Sequence, residues 1–335
     1  MKKILTISIA AYNVEKYIDE VLKSVLIKDM DKLEILVQDD GSKDNTNIIA
    51  KKYEEMYPNS IKVVKKENGG YGSTINNSIK IATGKYFKQL DGDDWYNTEN
   101  LENLIKELEK IDVDAVYNPY YKYFEGNKKI EIIDDFASVK IGKYEFEKIS
   151  GEINKKNFRP LMMHSLIFKT SLLKENNIHC LEKCFYTDTE YVIYPLMHVK
   201  DIYISKLAIY YYRIGRKDQS MSIENRKKNY KDNLKVSKRL LEESSKPFFN
   251  EEYISSYICT IFGNTVGGIL LILPLSYKNL NQIKEFELEI KEKNNKLYEN
   301  MISTCKIVRL LKKSNYLLYP ILHYLKIYKI KMEMK

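Results

Sequence analysis

The sequence predicts an α/β protein whose first two thirds form a largely parallel sheet and whose last third is a basic helical region. Three observations carry this. Short β-type runs alternate with helix-type stretches over the first 125 residues, as they do where parallel strands are joined by helical crossovers. Each of these runs ends in a polar, acidic or glycine-rich segment. Charge is also divided along the chain: residues 1–225 hold 34 Lys and Arg against 35 Asp and Glu, whereas 226–335 hold 21 against 11, giving −1 and +10.

Taken in order, the strand candidates are residues 4–11, 33–38, 61–65 and 86–90, with helices expected over 14–27, 45–57 and 73–82. The first helix carries Val14, Ile18, Val21, Leu22 and Val25 at helical spacing. Residues 113–170 read as irregular, with β-prone runs at 115–123 and 162–168. Beyond Tyr230 the pattern turns helical, Tyr230, Leu234 and Leu241 falling on one face, and the composition shift near Arg226 divides the chain into domains of 1–225 and 226–335.

Ligands in parallel sheets bind at the carboxyl ends of strands. That rule selects Tyr12-Asn13, Asp39-Asp40-Gly41-Ser42, Asn68-Gly69-Gly70 and Asp91-Gly92-Asp93-Asp94. A carboxylate such as Asp40 at a strand end can accept from a base-ring N–H or a ribose hydroxyl, while Asp44 can cap the following helix. Asp91, Asp93 and Asp94 place three carboxylates in four residues, which repel one another unless a cation or hydrogen bonds compensate. Hard oxygen donors fit Mg²⁺ or Mn²⁺, which usually share their remaining positions with phosphate oxygens and water. The segment 68–73 leads glycine-rich into a helix, whose N–H groups can face a phosphate, although the Lys-Ser/Thr pair of a Walker loop is missing. Backbone packing by these glycines is the equal alternative.

Six ordered segments together resemble the family 2 glycosyltransferases of GT-A fold, especially those that assemble bacterial surface polysaccharides. They are Ser8 to Asn13, Asp39 to Thr46, Asn68 to Asn76, Asp91 to Trp95, Tyr186 to Tyr191, and Tyr211-Tyr212-Arg213. The resemblance runs from about Ile4 to Ser222. It implies that Ala10 and Tyr12 line a nucleobase, that Asp40 accepts from the base, and that Asn68 and Asp91 belong to the nucleotide site. It further implies that Asp93 and Asp94 handle the metal, and that Asp188 is the general base. Direct displacement at an anomeric carbon would then invert configuration, a nucleotide-diphosphate sugar, most often a UDP-sugar, being the donor and a glycan or lipid-linked hydroxyl the acceptor. Arg213 and Arg216 would hold phosphate or acceptor, or else form strand-end ion pairs. His164 and Glu190 are expected near the acceptor, with a buried, hydrogen-bonded role as the alternative for the histidine.

The rest of the chain bears on partners. Four cysteines without a secretory leader suit a reducing cytoplasmic compartment. The apolar stretch 257–277 is just long enough to cross a bilayer, but Asn264, three glycines and Pro274 favour a buried or monotopic helix. Residues 315–335 interleave Tyr316, Leu317, Leu318, Ile321, Leu322, Leu325, Ile327 and Tyr328 with lysines, which suits a helix lying in an interface. Together with the resemblance this points to the inner face of the membrane, a packed helical subdomain with solvated lysines being the alternative. A sugar-nucleotide nucleotidyltransferase would need a glycine-rich phosphate loop directly after the first strand, where Ala10-Ala11-Tyr12-Asn13 stands instead. A nucleic-acid binder is disfavoured by a neutral, acid-lined first domain, and a catalytically dead binding module by the presence of every expected acidic residue.

Overall fold

The computed structural model describes residues 2–153, 159–215, 223–246 and 251–333, so Arg216 and Ser222 lie outside the described residues. Contacts divide the chain into two units, the first comprising 1–157 and 161–214 and the second 158–160 and 215–335.

In the first unit, β1 (Leu5–Ala11) is buried at six of its seven positions, as an apolar run does when helices cover both faces of a sheet. It is followed by α1 (Ile18–Ser24), β2 (Leu33–Asp39), α2 (Thr46–Met56), β3 (Ile61–Lys65), α3 (Tyr71–Ile81) and β4 (Tyr86–Asp91). Parallel neighbours need long crossovers, which these helices supply, and the strands lie in the order β3-β2-β1-β4. Ala10 pairs with both Gln38 and Asp91, and Asp39 pairs with Lys65, so the carboxyl ends of all four strands meet at one edge.

α1 is shorter than expected because the Val14 carbonyl closes a separate turn with the Tyr17 and Ile18 amides, yet Ile18, Val21, Leu22 and Val25 are all buried. α3 begins two residues before Ser73. Gly70, at φ +79°, turns the chain into it, a conformation few side chains adopt.

The unit continues through β5 (Trp95–Tyr96), α4 (Thr98–Lys110), β6 (Ala115–Tyr117), β7 (Tyr120–Phe124), β8 (Lys129–Ile133), β9 (Gly142–Glu145) and α5 (Phe146–Ser150). It closes with β10 (Leu166–Lys169), α6 (Thr170–Glu175), α7 (Asp188–Leu196), β11 (Asp201–Ile204) and β12 (Tyr210–Ile214). The large sheet runs β3-β2-β1-β4-β10-β6-β11-β9, and a second sheet runs β5-β12-β7-β8. The β-prone run 115–123 is thus two strands in different sheets, and 162–168 is a single 3₁₀ turn entering β10.

One glycine contact positions the site. A Cβ on Gly72 would stand 2.0 Å from the Leu181 carbonyl oxygen, so the backbone of 180–181 lies directly against the first turn of α3. Asn76, one turn on, accepts from the Cys180 amide at 2.8 Å and donates to its carbonyl at 2.9 Å. Gly72→Ala is expected to destabilise the first unit by about 2–3 kcal/mol, a melting-temperature drop of roughly 5–10 °C. Thermal unfolding followed by circular dichroism checks this.

The second unit is helical: α8 (Ile223–Lys228), α9 (Tyr230–Glu243), α10 (Glu251–Asn264), α11 (Tyr277–Lys293), α12 (Asn295–Thr304), α13 (Lys306–Lys313) and α14 (Tyr319–Glu333). Val236, Leu240 and Leu241 form the buried face of α9, whereas Tyr230 and Leu234 are only partly covered. α10 runs through a π turn and a 3₁₀ turn to Ile272. The segment Glu252–Ile272, with mean hydropathy 1.4, is long and apolar enough to cross a membrane, but 72% of its most apolar window is buried within the structure. Phe262 meets Phe286 of α11 edge-to-face at 5.7 Å.

Candidate active site

The loops at the carboxyl edge of the sheet hold one another before they hold anything else. Asp39 accepts from the Ser42 amide at 2.9 Å and from the Asn47 side chain at 2.9 Å. Asn13, at φ +54°, accepts from the Lys43 amide on its side-chain oxygen and donates its own amide to Ser42 Oγ. Asp44 accepts from Thr46 and Glu15 amides, capping α2 from one position before its N-cap. Ala10 and Tyr12 flank this junction, with the Tyr12 ring exposed.

Asp40 is buried and organises the glycine loop. Its Oδ1 and Oδ2 accept from the Gly69 and Gly70 amides at 2.9 Å each, and Lys66 Nζ forms an ion pair with Oδ1. A base contact at Asp40 would have to share these oxygens. Asn68 is exposed at the start of that loop, its amide packed against Gly41, which takes φ +79°.

Asp91 ends β4 beside Ala10 and accepts from the Tyr71 hydroxyl at 2.6 Å. Asp94 turns inward and is fully buried. Its Oδ2 accepts from the Tyr210 hydroxyl at 2.7 Å and its Oδ1 from the Arg213 amide at 2.8 Å. Burial first, and then the neighbouring Asp93 and Asp91, raise its pKa well above the carboxylate range. Asp91, Asp94 and His164 present ligand atoms all within 4.8 Å of one another. His164 is buried against Tyr212, ring centroids 4.3 Å apart, and its Nδ1 has no hydrogen-bond partner among the described residues. Burial, together with the Lys88 charge, holds its pKa down to about 3, which leaves a neutral imidazole able to ligate. Beneath it, buried Lys88 donates to the His164 and Leu166 carbonyls at 2.8 and 3.1 Å, tying this turn to β4. Desolvation lowers the Lys88 pKa to about 7.

The donor set fits a divalent ion: two carboxylates, one imidazole with an orphaned nitrogen, and oxygens that retain lone pairs beside the hydrogen bonds they accept. It differs from the pair Asp93 and Asp94 expected from the motif, since Asp93 is not in the cluster and Asp91 and His164 are. The turn explains this. Gly92 is pressed against the Ala10 carbonyl, and Asp94 then folds under Tyr210 while the Asp93 side chain stays partly exposed.

Asp188 opens α7 and is partly exposed. Its carboxyl is raised above the ordinary value by desolvation, against which the Thr189 amide and its own amide act. Its charge also acts on two tyrosines. Tyr71 is pushed well up by burial, by Asp91 and by Asp188, and Tyr212 is pushed up by burial and by Asp94, Asp91, Asp188 and Asp93. Glu190 is fully buried with oxygens accepting from the Leu181 amide at 2.7 Å and the Tyr194 hydroxyl at 3.2 Å. It holds the 181 segment to α7.

Arg213 takes the ion-pair arrangement. Its Nε donates to the Asp93 carbonyl at 2.9 Å, and its guanidinium pairs with Glu20 at 2.6 Å and Glu125 at 3.4 Å while lying 4.5 Å from the Trp95 ring centroid. It therefore clamps the Asp93-Asp94 turn to β12. Tyr71 and Tyr212 fall within the sequence segments named above but were given no role there, and Tyr210 and Lys66 were not named at all. Composition singles out none of the 28 tyrosines.

An α/β sheet whose parallel edge collects a buried acidic turn, a glycine loop and an aspartate-led helix has the architecture expected of the GT-A fold. Residues 6–176 match the profile of Glycosyl transferase family 2, about half of the chain, and the protein belongs to that family. It is 30% identical over 226 residues to the minor teichoic acid biosynthesis protein GgaB of Bacillus subtilis, covering 65% of this chain and 24% of that protein. An uncharacterized glycosyltransferase of Mycoplasma genitalium is 26% identical over 297 residues, 86% of this chain and 89% of that one. The glycosyltransferase GlyA of Streptococcus pneumoniae is 27% identical over 63% of this chain and 31% of its own length, so the chain spans about a quarter to a third of GgaB and GlyA. Among solved structures, S. aureus TarS 1-349 in complex with UDP-GlcNAc superposes with TM-score 0.62 at 20% identity, over 96% of this chain and 86% of that one, which shows the fold.

Proposed function

We propose that this protein transfers a sugar from a UDP-sugar to a hydroxyl of a surface-glycan or lipid-linked acceptor, with inversion at the anomeric carbon. The observation that carries the reading is the cluster of Asp91, Asp94 and His164 at the carboxyl edge of the parallel strands, with Asp188 opening α7 near enough for its charge to act on Tyr71 and Tyr212. A relative named for minor teichoic acid biosynthesis and a fold neighbour bound to UDP-GlcNAc support the substrate class.

In this reading Ala10 and Tyr12 line the nucleobase, Asp40 orders the loop beneath it, and Asn68 opens the glycine turn toward the diphosphate. Asp91, Asp94 and His164 hold the divalent ion, Mn²⁺ or Mg²⁺. The bound ion would neutralise charge developing on the departing diphosphate. Asp188, ionised, takes the proton from the acceptor hydroxyl as its oxygen attacks the anomeric carbon opposite the leaving group. Glu190, Asn76 and Gly72 keep Asp188 in register with the donor site.

Isothermal titration of UDP, GDP and TDP, each with and without Mn²⁺, tests the proposal. Metal-dependent binding of UDP, with the other two weaker, is the expected result. Absence of binding by all three nucleotides under both conditions would rule the donor site out.

A further inference from the structure

The last helix is apolar on two opposite sides. Tyr319, His323 and Ile330 are buried, and His323 Nδ1 lies 2.8 Å from the Leu271 carbonyl, so that side is docked on the unit's own apolar segment. At about 100° per residue, Ile321, Tyr324, Leu325, Tyr328 and Met332 fall on the other side, within an arc of about 100°. These five are 54% to 66% exposed, and Leu317, just ahead of the helix, is 82% exposed. A surface helix normally turns polar residues outward. Here the outward arc is the apolar one, and contiguous exposed apolar surface of this kind marks a contact face.

Charge states what the contact is. Residues 306–335 carry eight Lys and Arg against the single Glu333. Lys329 falls about 40° beyond the arc's edge at Leu325, and exposed Lys313 closes α13 just before it, while Lys312 beside it pairs with buried Glu287. An apolar arc a few residues long bordered by cations fits a surface that is apolar inside and anionic at its rim. We propose that α14 lies in the plane of an anionic lipid bilayer, with Ile321, Leu325 and Tyr328 entering the boundary of headgroups and acyl chains and the flanking lysines on lipid phosphates. The inference rests on the second unit alone and not on the transferase assignment.

Co-sedimentation of the full chain with phosphatidylcholine vesicles, with and without phosphatidylglycerol, tests it, using the triple variant Ile321→Glu, Leu325→Glu, Tyr328→Glu. The three side chains are exposed, and an unchanged circular dichroism spectrum verifies folding. Binding to the anionic vesicles is expected to be weakened by salt and to fall at least about tenfold in the variant. Equal binding by wild type and variant, or no binding of wild type to anionic vesicles, would overturn the proposal. Light scattering that shows a wild-type dimer turned monomeric by the variant, without vesicle binding, would assign the arc to a second copy instead. Uridine nucleotide titrations run beside these report on the donor site independently.

Discussion

Asp188→Asn is expected to lower kcat for sugar transfer by about a thousandfold while leaving the affinity for the nucleotide within about twofold. The amide preserves size and the start of α7 but cannot accept the proton of the attacking hydroxyl. Because desolvation raises the Asp188 carboxyl, the wild-type profile should lose activity as pH falls through a value above the ordinary aspartate range near 3.9. The same shift has a stability consequence of opposite sign. A carboxyl whose folded pKa exceeds its unfolded one is a burden on the fold once pH rises past the folded value. The Asn variant should therefore melt at an equal or higher temperature at neutral pH, so loss of rate without loss of stability separates a catalytic base from a structural acid. A variant retaining more than a tenth of the rate would remove Asp188 from that role.

Asp91→Ala should reduce Mn²⁺-dependent nucleotide binding by about a hundredfold, with His164→Ala costing about tenfold and Asp93→Ala less than threefold. The order follows from geometry. Asp91 and His164 belong to the cluster of ligand atoms within 4.8 Å, and the partly exposed Asp93 does not. Titration calorimetry with Mn²⁺ present and absent measures the nucleotide term, and electron paramagnetic resonance of the bound Mn²⁺ reports the ion directly. An Asp93 variant as impaired as the Asp91 variant, beside an unaffected His164 variant, would return the site to the Asp-x-Asp pair expected from the motif.

Local pattern made much of the first unit legible. The strands at 61–65 and, within one residue, 4–11, 33–38 and 86–90 could be read directly, because buried parallel strands are continuous apolar runs and glycine, asparagine and aspartate mark where they stop. Those same stops put Asp40, Asn68, Asp91, Asp93 and Asp94 at or just past strand ends, and the structure has them there. Asp188 was legible only through family resemblance, since an acid at the start of a helix is ordinary by itself. Residues 113–170 were not legible: the run at 115–123 changes sheet and the run at 162–168 passes from a 3₁₀ turn into a strand within a few residues, and periodicity cannot report that.

Composition and order along the chain thus determined the α/β class, the parallel sheet, the acidic edge and the basic tail, all of which follow from local apolar periodicity and charge. Tertiary structure alone decided which members of the acidic turn face inward, that His164 joins them, that Arg213 is spent on Glu20 and Glu125, and that the last helix turns an apolar arc outward. Each of these depends on residues far apart in sequence, whose separation on the chain carries no signal until folding sets their distances.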